Sequence, residues 1–242
     1  MNSNGLRDKV AIITGGGRGV GRATALAFAE LGAKVCVTAR STDQVEGVAA
    51  ELRDVGAEAL AVTTDVGLKA DVDRLFGATV DAFGRVDVLV NNAGSFPIGP
   101  INEFPEEEFD AAVNVDFKAA YLCSQSALNT GGMLAREDGL IINIGSVSVR
   151  RQIPNMAVHC ALKAALLGLS ESLRREVAGR GVRVSLLCPA TIDTDLVQSP
   201  DARKHVHGEE KWLRPEDVAD LIVYVATRPR NVAIGEASII GM

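Results

Sequence analysis

Basic surface is what this chain most lacks. Its 242 residues carry 25 Lys and Arg against 31 Asp and Glu, a formal charge of −6, and no stripe of cations runs through it. Arg150-Arg151 and Arg228-Pro229-Arg230 are the only local basic groups and read as solvated surface. A general nucleic-acid binder, which gains affinity by releasing counterions from phosphates, is thereby excluded. No apolar run approaches membrane-spanning length, so no membrane partner is expected. The segment Met1–Gly5 is short and polar, without an apolar stretch of signal length. Cys36, Cys123, Cys160 and Cys188 lie far apart, without metal or redox spacing, and each falls in an apolar segment. They are expected to be reduced core thiols of a cytoplasmic protein, with no metal site. Repeats and low-complexity tracts are absent, and nothing marks an internal boundary. Residues 1–242, 47% of them hydrophobic, are therefore expected to form a single α/β domain.

What the chain does have is a glycine turn in a telling context. Thr14-Gly15-Gly16-Gly17-Arg18-Gly19-Val20-Gly21 follows Lys9-Val10-Ala11-Ile12-Ile13, a β-branched run that reads as a buried strand. It precedes Arg22–Leu31, where Ala23, Leu26, Ala27 and Leu31 recur at helical spacing. A turn between strand and helix leaves backbone N–H groups free at the helix N-terminus, where a pyrophosphate can sit. Strands are predicted at 9–14, 34–39, 60–64, 86–91, 140–144, 182–188 and 237–240. Helices are predicted near 20–31, 43–55, 69–83, 109–128, 157–179 and 215–227. Strands apolar along their length, alternating with helices, predict a parallel sheet covered on both faces. The longest stretch without a clear element, 190–214, reads as a lid near a site.

Further segments carry a family resemblance. They are Asn91-Asn92-Ala93-Gly94, Asn114, Ser146, Lys163 and Cys188-Pro189-Ala190-Thr191-Ile192-Asp193-Thr194. With the glycine turn, they resemble the short-chain dehydrogenase/reductase family over essentially the whole chain. The resemblance implies a doubly wound Rossmann-type fold with seven parallel strands in the order 3-2-1-4-5-6-7. It implies cofactor contacts from Gly15, Arg18, Gly19, Val20, Gly21, Asp65, Val66, Asn91, Ala93, Gly94, Ile192 and Thr194. Asp65 would cap the adenine, and Ile192 and Thr194 would hold the carboxamide. In the catalytic group Ser146 would hold the substrate oxygen, Lys163 would bind the nicotinamide ribose, and Asn114 would place a water behind Lys163.

One position departs from the family. Its catalytic tyrosine stands four residues before the lysine, where this chain has His159; the two tyrosines, Tyr121 and Tyr224, lie elsewhere. Residues four apart share a helix face, so His159 and Lys163 should point the same way. Imidazole starts near a pKa of about 6.5, and a neighbouring ammonium lowers it. At neutral pH it is a competent base and a scarce acid, which favours alcohol oxidation over carbonyl reduction. The alternative is a protein that binds its cofactor without turnover.

The second predicted strand ends Val37-Thr38-Ala39-Arg40, with no carboxylate to accept the ribose hydroxyls and a guanidinium directly after. Arg40 and Arg18 together predict NADP(H), whose 2′-phosphate two arginines can hold. The substrate is expected to be a small, partly apolar alcohol or carbonyl compound, walled by Phe96, Ile98, Val149, Ile153, Met156, Val197 and Trp212. His205 and His207, in the lid, read as exposed loop residues. The helix from Ala157 is apolar on nearly all sides, which predicts a partner subunit. The C-terminal segment Ile234–Met242 departs from the family pattern, leaving homodimer and homotetramer both open.

Overall fold

The computed structural model describes residues 5–197 and 212–242. Seven strands form one parallel sheet in the order β3-β2-β1-β4-β5-β6-β7. They are β1 (Val10–Thr14), β2 (Lys34–Ala39), β3 (Ala59–Thr63), β4 (Val88–Asn91), β5 (Gly139–Ile144), β6 (Val182–Pro189) and β7 (Glu236–Ile239). The central strands are buried throughout, β1 as Val-Ala-Ile-Ile-Thr and β5 as Gly-Leu-Ile-Ile-Asn-Ile. That is why they read as continuous apolar runs and not as alternating ones.

Helices cover both faces. On one side α1 (Gly19–Glu30), α2 (Thr42–Asp54) and α8 (Pro215–Ala226) enclose Phe28, Val45, Leu52 and Ile222 against Ile13 and Val35. On the other, α3 (Lys69–Phe83), α5 (Ala119–Leu128) and α7 (Ala157–Val177) enclose Leu75, Phe76, Cys123 and Leu173 against Ile12 and Ile141. The strand order reverses between β1 and β4, and a ligand crevice forms outside the carboxyl ends of strands at such a point.

The predicted helix 109–128 is three pieces. A helix α4 (Glu106–Val113) runs into a π-helical turn at Asn114–Lys118, and α5 continues from Ala119. The wide turn inserts a phase shift that a regular 3.6-residue period does not contain, and such bulges collect at functional sites. A short helix α6 (Met133–Arg136) precedes β5. Asn91 and Asn143 are register partners on β4 and β5, so their side chains meet inside the sheet. Asn91 Nδ2 donates to Asn143 Oδ1 (2.8 Å), Asn143 Nδ2 to Ser170 Oγ (2.8 Å), and the Ser170 hydroxyl to the Leu166 carbonyl (2.7 Å). Every buried polar group in this chain of bonds has a partner, and it ties α7 to the sheet directly beneath the residues that line the cleft.

Candidate active site

A cleft of about 1450 Å³ opens at the carboxyl ends of the strands. Gly15, Arg18, Gly19, Val20, Arg40, Asp65, Val66, Ala93, Gly94, Ile192 and Thr194 border it, as do Asn114, Ser146, His159 and Lys163. Gly15 has φ +63°, and a Cβ there would come within 3.0 Å of the Ala93 backbone. The Asn92 side-chain amide donates to the carbonyls of Thr14 (2.9 Å) and Gly15 (3.2 Å), strapping the turn to β4. Glycines thus leave a floor of bare backbone at the N-terminus of α1, which fits a pyrophosphate.

Two residues expected to touch a cofactor do not border the cleft. A Cβ on Gly21 would meet the Gly15 carbonyl at 2.2 Å, so this glycine lets α1 pack on the turn. Asn91 is turned into the sheet by its strand register and spent on Asn143 and Ser124.

A second group of cleft residues comes from α7, the turn after β5 and the π turn. His159 and Lys163, one helical turn apart, are both buried, as expected of a shared face. Phe96 meets the imidazole edge to face, with ring centroids 5.1 Å apart. His159 Nδ1 is buried without a hydrogen-bond partner. Burial, followed by the Lys163 ammonium, pushes the imidazole down to about 4, while Asp116 pulls the other way. At neutral pH His159 is therefore uncharged and able to accept a proton. Ser146 caps the turn after β5: its Oγ accepts the Ser148 N–H at 3.1 Å, which leaves its own proton available to a ligand.

The residue behind Lys163 is Asp116, not Asn114. Lys163 Nζ lies 3.0 Å from Asp116 Oδ1, whereas Asn114 is exposed and its Oδ1 accepts from Lys118 Nζ at 3.3 Å. Asp116 is buried against Lys163, while Asn114 is exposed on the border of the same cleft. The signal available in the sequence was a carboxylate set between Val115 and Phe117; the π turn decided which way it points.

At the far end, Arg40 is exposed and has no ion-pair partner among the described residues. Arg18 Nη1 lies 3.2 Å from Asp195 Oδ2, both largely exposed. Such a surface pair is worth little, so a phosphate can displace the carboxylate.

The substrate side is lined by Phe96, Ile153, Met156, Val197 and Trp212, with Phe104 and Leu196 in addition. Val149 packs instead on Ala120 and Leu166, and Ile98 does not border the cleft. Residues 198–211, with His205 and His207, lie outside the described residues. The flanks of the expected lid are held by a parallel bridge between Ile192 and Leu213. Burial pushes the thiols of Cys36 and Cys123 up to about 12, and that of Cys188 up to about 11, which leaves them unreactive. Among the described residues no cluster could hold a metal ion, and no helix is long and apolar enough to cross a membrane.

Fold and site together define a doubly wound α/β protein whose glycine-floored cleft also holds a buried histidine and lysine one helical turn apart. A family model for short chain dehydrogenases matches residues 9–205, and the chain belongs to that family. It is 32% identical over 234 residues to an oxidoreductase of Staphylococcus aureus (strain N315), covering 97% of each chain. Among solved structures it resembles a metagenomic short-chain oxidoreductase in complex with NADP, at 32% identity and a TM-score of 0.84 over 97% of each chain. It also resembles an actinorhodin polyketide ketoreductase with NADPH, at 27% identity and a TM-score of 0.90 over 96% of each.

Proposed function

We propose that this protein is an NADP-dependent oxidoreductase that interconverts a secondary alcohol and a carbonyl compound, with His159 as the proton carrier. The carrying observation is the burial of His159 beside Lys163 in the same cleft as the glycine cradle. NADP, when bound, supplies the hydride acceptor, and NADPH the donor. Arg40 and Arg18 hold the 2′-phosphate, which the absence of a carboxylate at the end of β2 permits. Two solved relatives with NADP or NADPH support this choice. Ser146 donates its hydroxyl proton to the substrate oxygen, and the neutral imidazole takes the proton that an alcohol loses. With the imidazole depressed, the neutral-pH reaction runs best as alcohol oxidation, and reduction gains as the solution is acidified.

A panel of secondary alcohols and ketones, followed by NADPH absorbance across pH, tests the reading. Oxidation should proceed at pH 7 and fall on an acid limb near pH 4, well below the value of about 6.5 of a free imidazole. Tight NADPH binding with no turnover at any pH would overturn it in favour of a cofactor-binding sensor or partner subunit.

The outward face of α7 supports a second proposal, a homodimer or homotetramer. Ala161, Ala164, Ala165 and Gly168 are exposed there with Leu167 and Leu169 half-buried, and Tyr121 on α5 is exposed as well. Small residues let helices approach closely, and burying this stripe removes apolar surface from water. Ala165→Glu should shift the sedimenting species toward monomer. A wild-type chain that sediments as a monomer would remove the proposal. Buried, protonated thiols support a reducing, cytoplasmic location.

A further inference from the structure

Asp116 is a fully buried carboxylate directly behind the reacting pair. Its Oδ1 lies 3.0 Å from Lys163 Nζ, with no exposed side-chain surface. Its Oδ2 accepts the Ser95 N–H at 2.9 Å and the Ser95 hydroxyl at 2.5 Å. Gly94 leaves room for it, since a Cβ there would sit 3.0 Å from Oδ1. The contact with Lys163 is an ion pair in which Oδ1 accepts no hydrogen bond, and the one hydrogen bond Lys163 donates goes to the Ile144 carbonyl at 3.4 Å. An ammonium has three donors, so Lys163 keeps donors for a cofactor or a reacting group.

An uncompensated ammonium helps a phenol, whose high pKa must come down, and harms an imidazole, which is already a weak base. We propose that Asp116 is a positioning residue that anchors Lys163 and offsets its charge, so that a histidine can serve as the base at position 159. This inference rests on the reading of His159 as proton carrier. The acid at 116 and the imidazole at 159 are then a matched pair: each makes the other tolerable. The charged groups acting on the imidazole are Lys163 from α7, which lowers its proton affinity, and Asp116 from the π turn, which raises it. Phe96, packed edge to face on it, carries no charge; Ser146, Glu108 and Arg151 border the same cleft.

The test compares Asp116→Asn and Asp116→Glu in the full chain, in wild-type and His159→Tyr backgrounds. In the wild-type background Asp116→Asn should move the acid limb of oxidation down by roughly one pH unit and slow the plateau about tenfold. Asp116→Glu should stay nearer the parent. In the His159→Tyr background the sign should reverse, with Asp116→Asn raising turnover because the phenol gains from a freed ammonium. An equal loss in both backgrounds would mark a merely structural carboxylate and overturn the proposal. Imidazole NMR supplies a readout independent of turnover, since the chain has three histidines and His159 is assigned by its loss in His159→Phe. Onset of its protonation should move to lower pH in Asp116→Asn. A folded variant with an unmoved titration overturns the coupling. A titration that moves in a chain without turnover supports the coupling and overturns the functional reading on which the catalytic role rests.

Discussion

Replacing His159 by phenylalanine should cut turnover by about 10²- to 10⁴-fold in both directions, the usual worth of a positioned acid–base group. NADPH affinity should change little, because the glycine cradle and the arginines lie at the other end of the cleft. The same variant has a second readout. The folded imidazole is held near 4, below the value of about 6.5 expected in the unfolded chain. Between those values the unfolded state binds the proton and the folded state does not. The stability present above pH 6.5 is therefore lost as pH falls toward 4, by about 3 kcal/mol for this group alone. His159→Phe has no proton to bind there, so its stability should rise relative to the parent by about that amount on acidification to pH 4. Urea titrations of both proteins at pH 7 and pH 4 measure the difference directly. His159→Tyr, in turn, should raise carbonyl reduction at neutral pH by restoring an acid that keeps its proton there. A phenylalanine variant as active as the parent would take His159 out of the mechanism and leave a bound water or Ser146 to carry the proton.

Arg40→Asp should weaken NADP binding about 10- to 100-fold, the loss of a charge-assisted bond to phosphate with a repelling carboxylate in its place. NAD binding should hold or improve, because the new carboxylate can accept the ribose hydroxyls. Arg18 alone supplies one of the two guanidinium partners, so it replaces only part of the lost phosphate binding. Calorimetric titration with both cofactors decides the matter. Unchanged NADP affinity would mean that Arg40 stays in solvent and that discrimination lies elsewhere.

The sheet, its strand order and the shared face of His159 and Lys163 were legible in the sequence alone. The parallel sheet and the shared face rest on local pattern, namely continuous apolar runs for strands buried on both faces, a glycine turn between strand and helix, and a spacing of four along a helix; the strand order was what the family resemblance implied. The same holds for the missing carboxylate after β2, since the end of a strand and the residue following it are neighbours whatever the rest of the chain does. Tertiary structure decided what depends on phase and register. The π turn at Asn114–Lys118 sets Asp116 against Lys163 and leaves Asn114 exposed on the cleft border, and a local period of 3.6 cannot announce an inserted residue. The pairing of β4 with β5 turned Asn91 away from the cleft into a buried bond with Asn143, a partner 52 positions away. Burial set the imidazole's proton affinity. The sequence named the histidine and its lysine, but desolvation is a property of everything packed around a group, and Phe96 and Asp116 reach it from other parts of the chain.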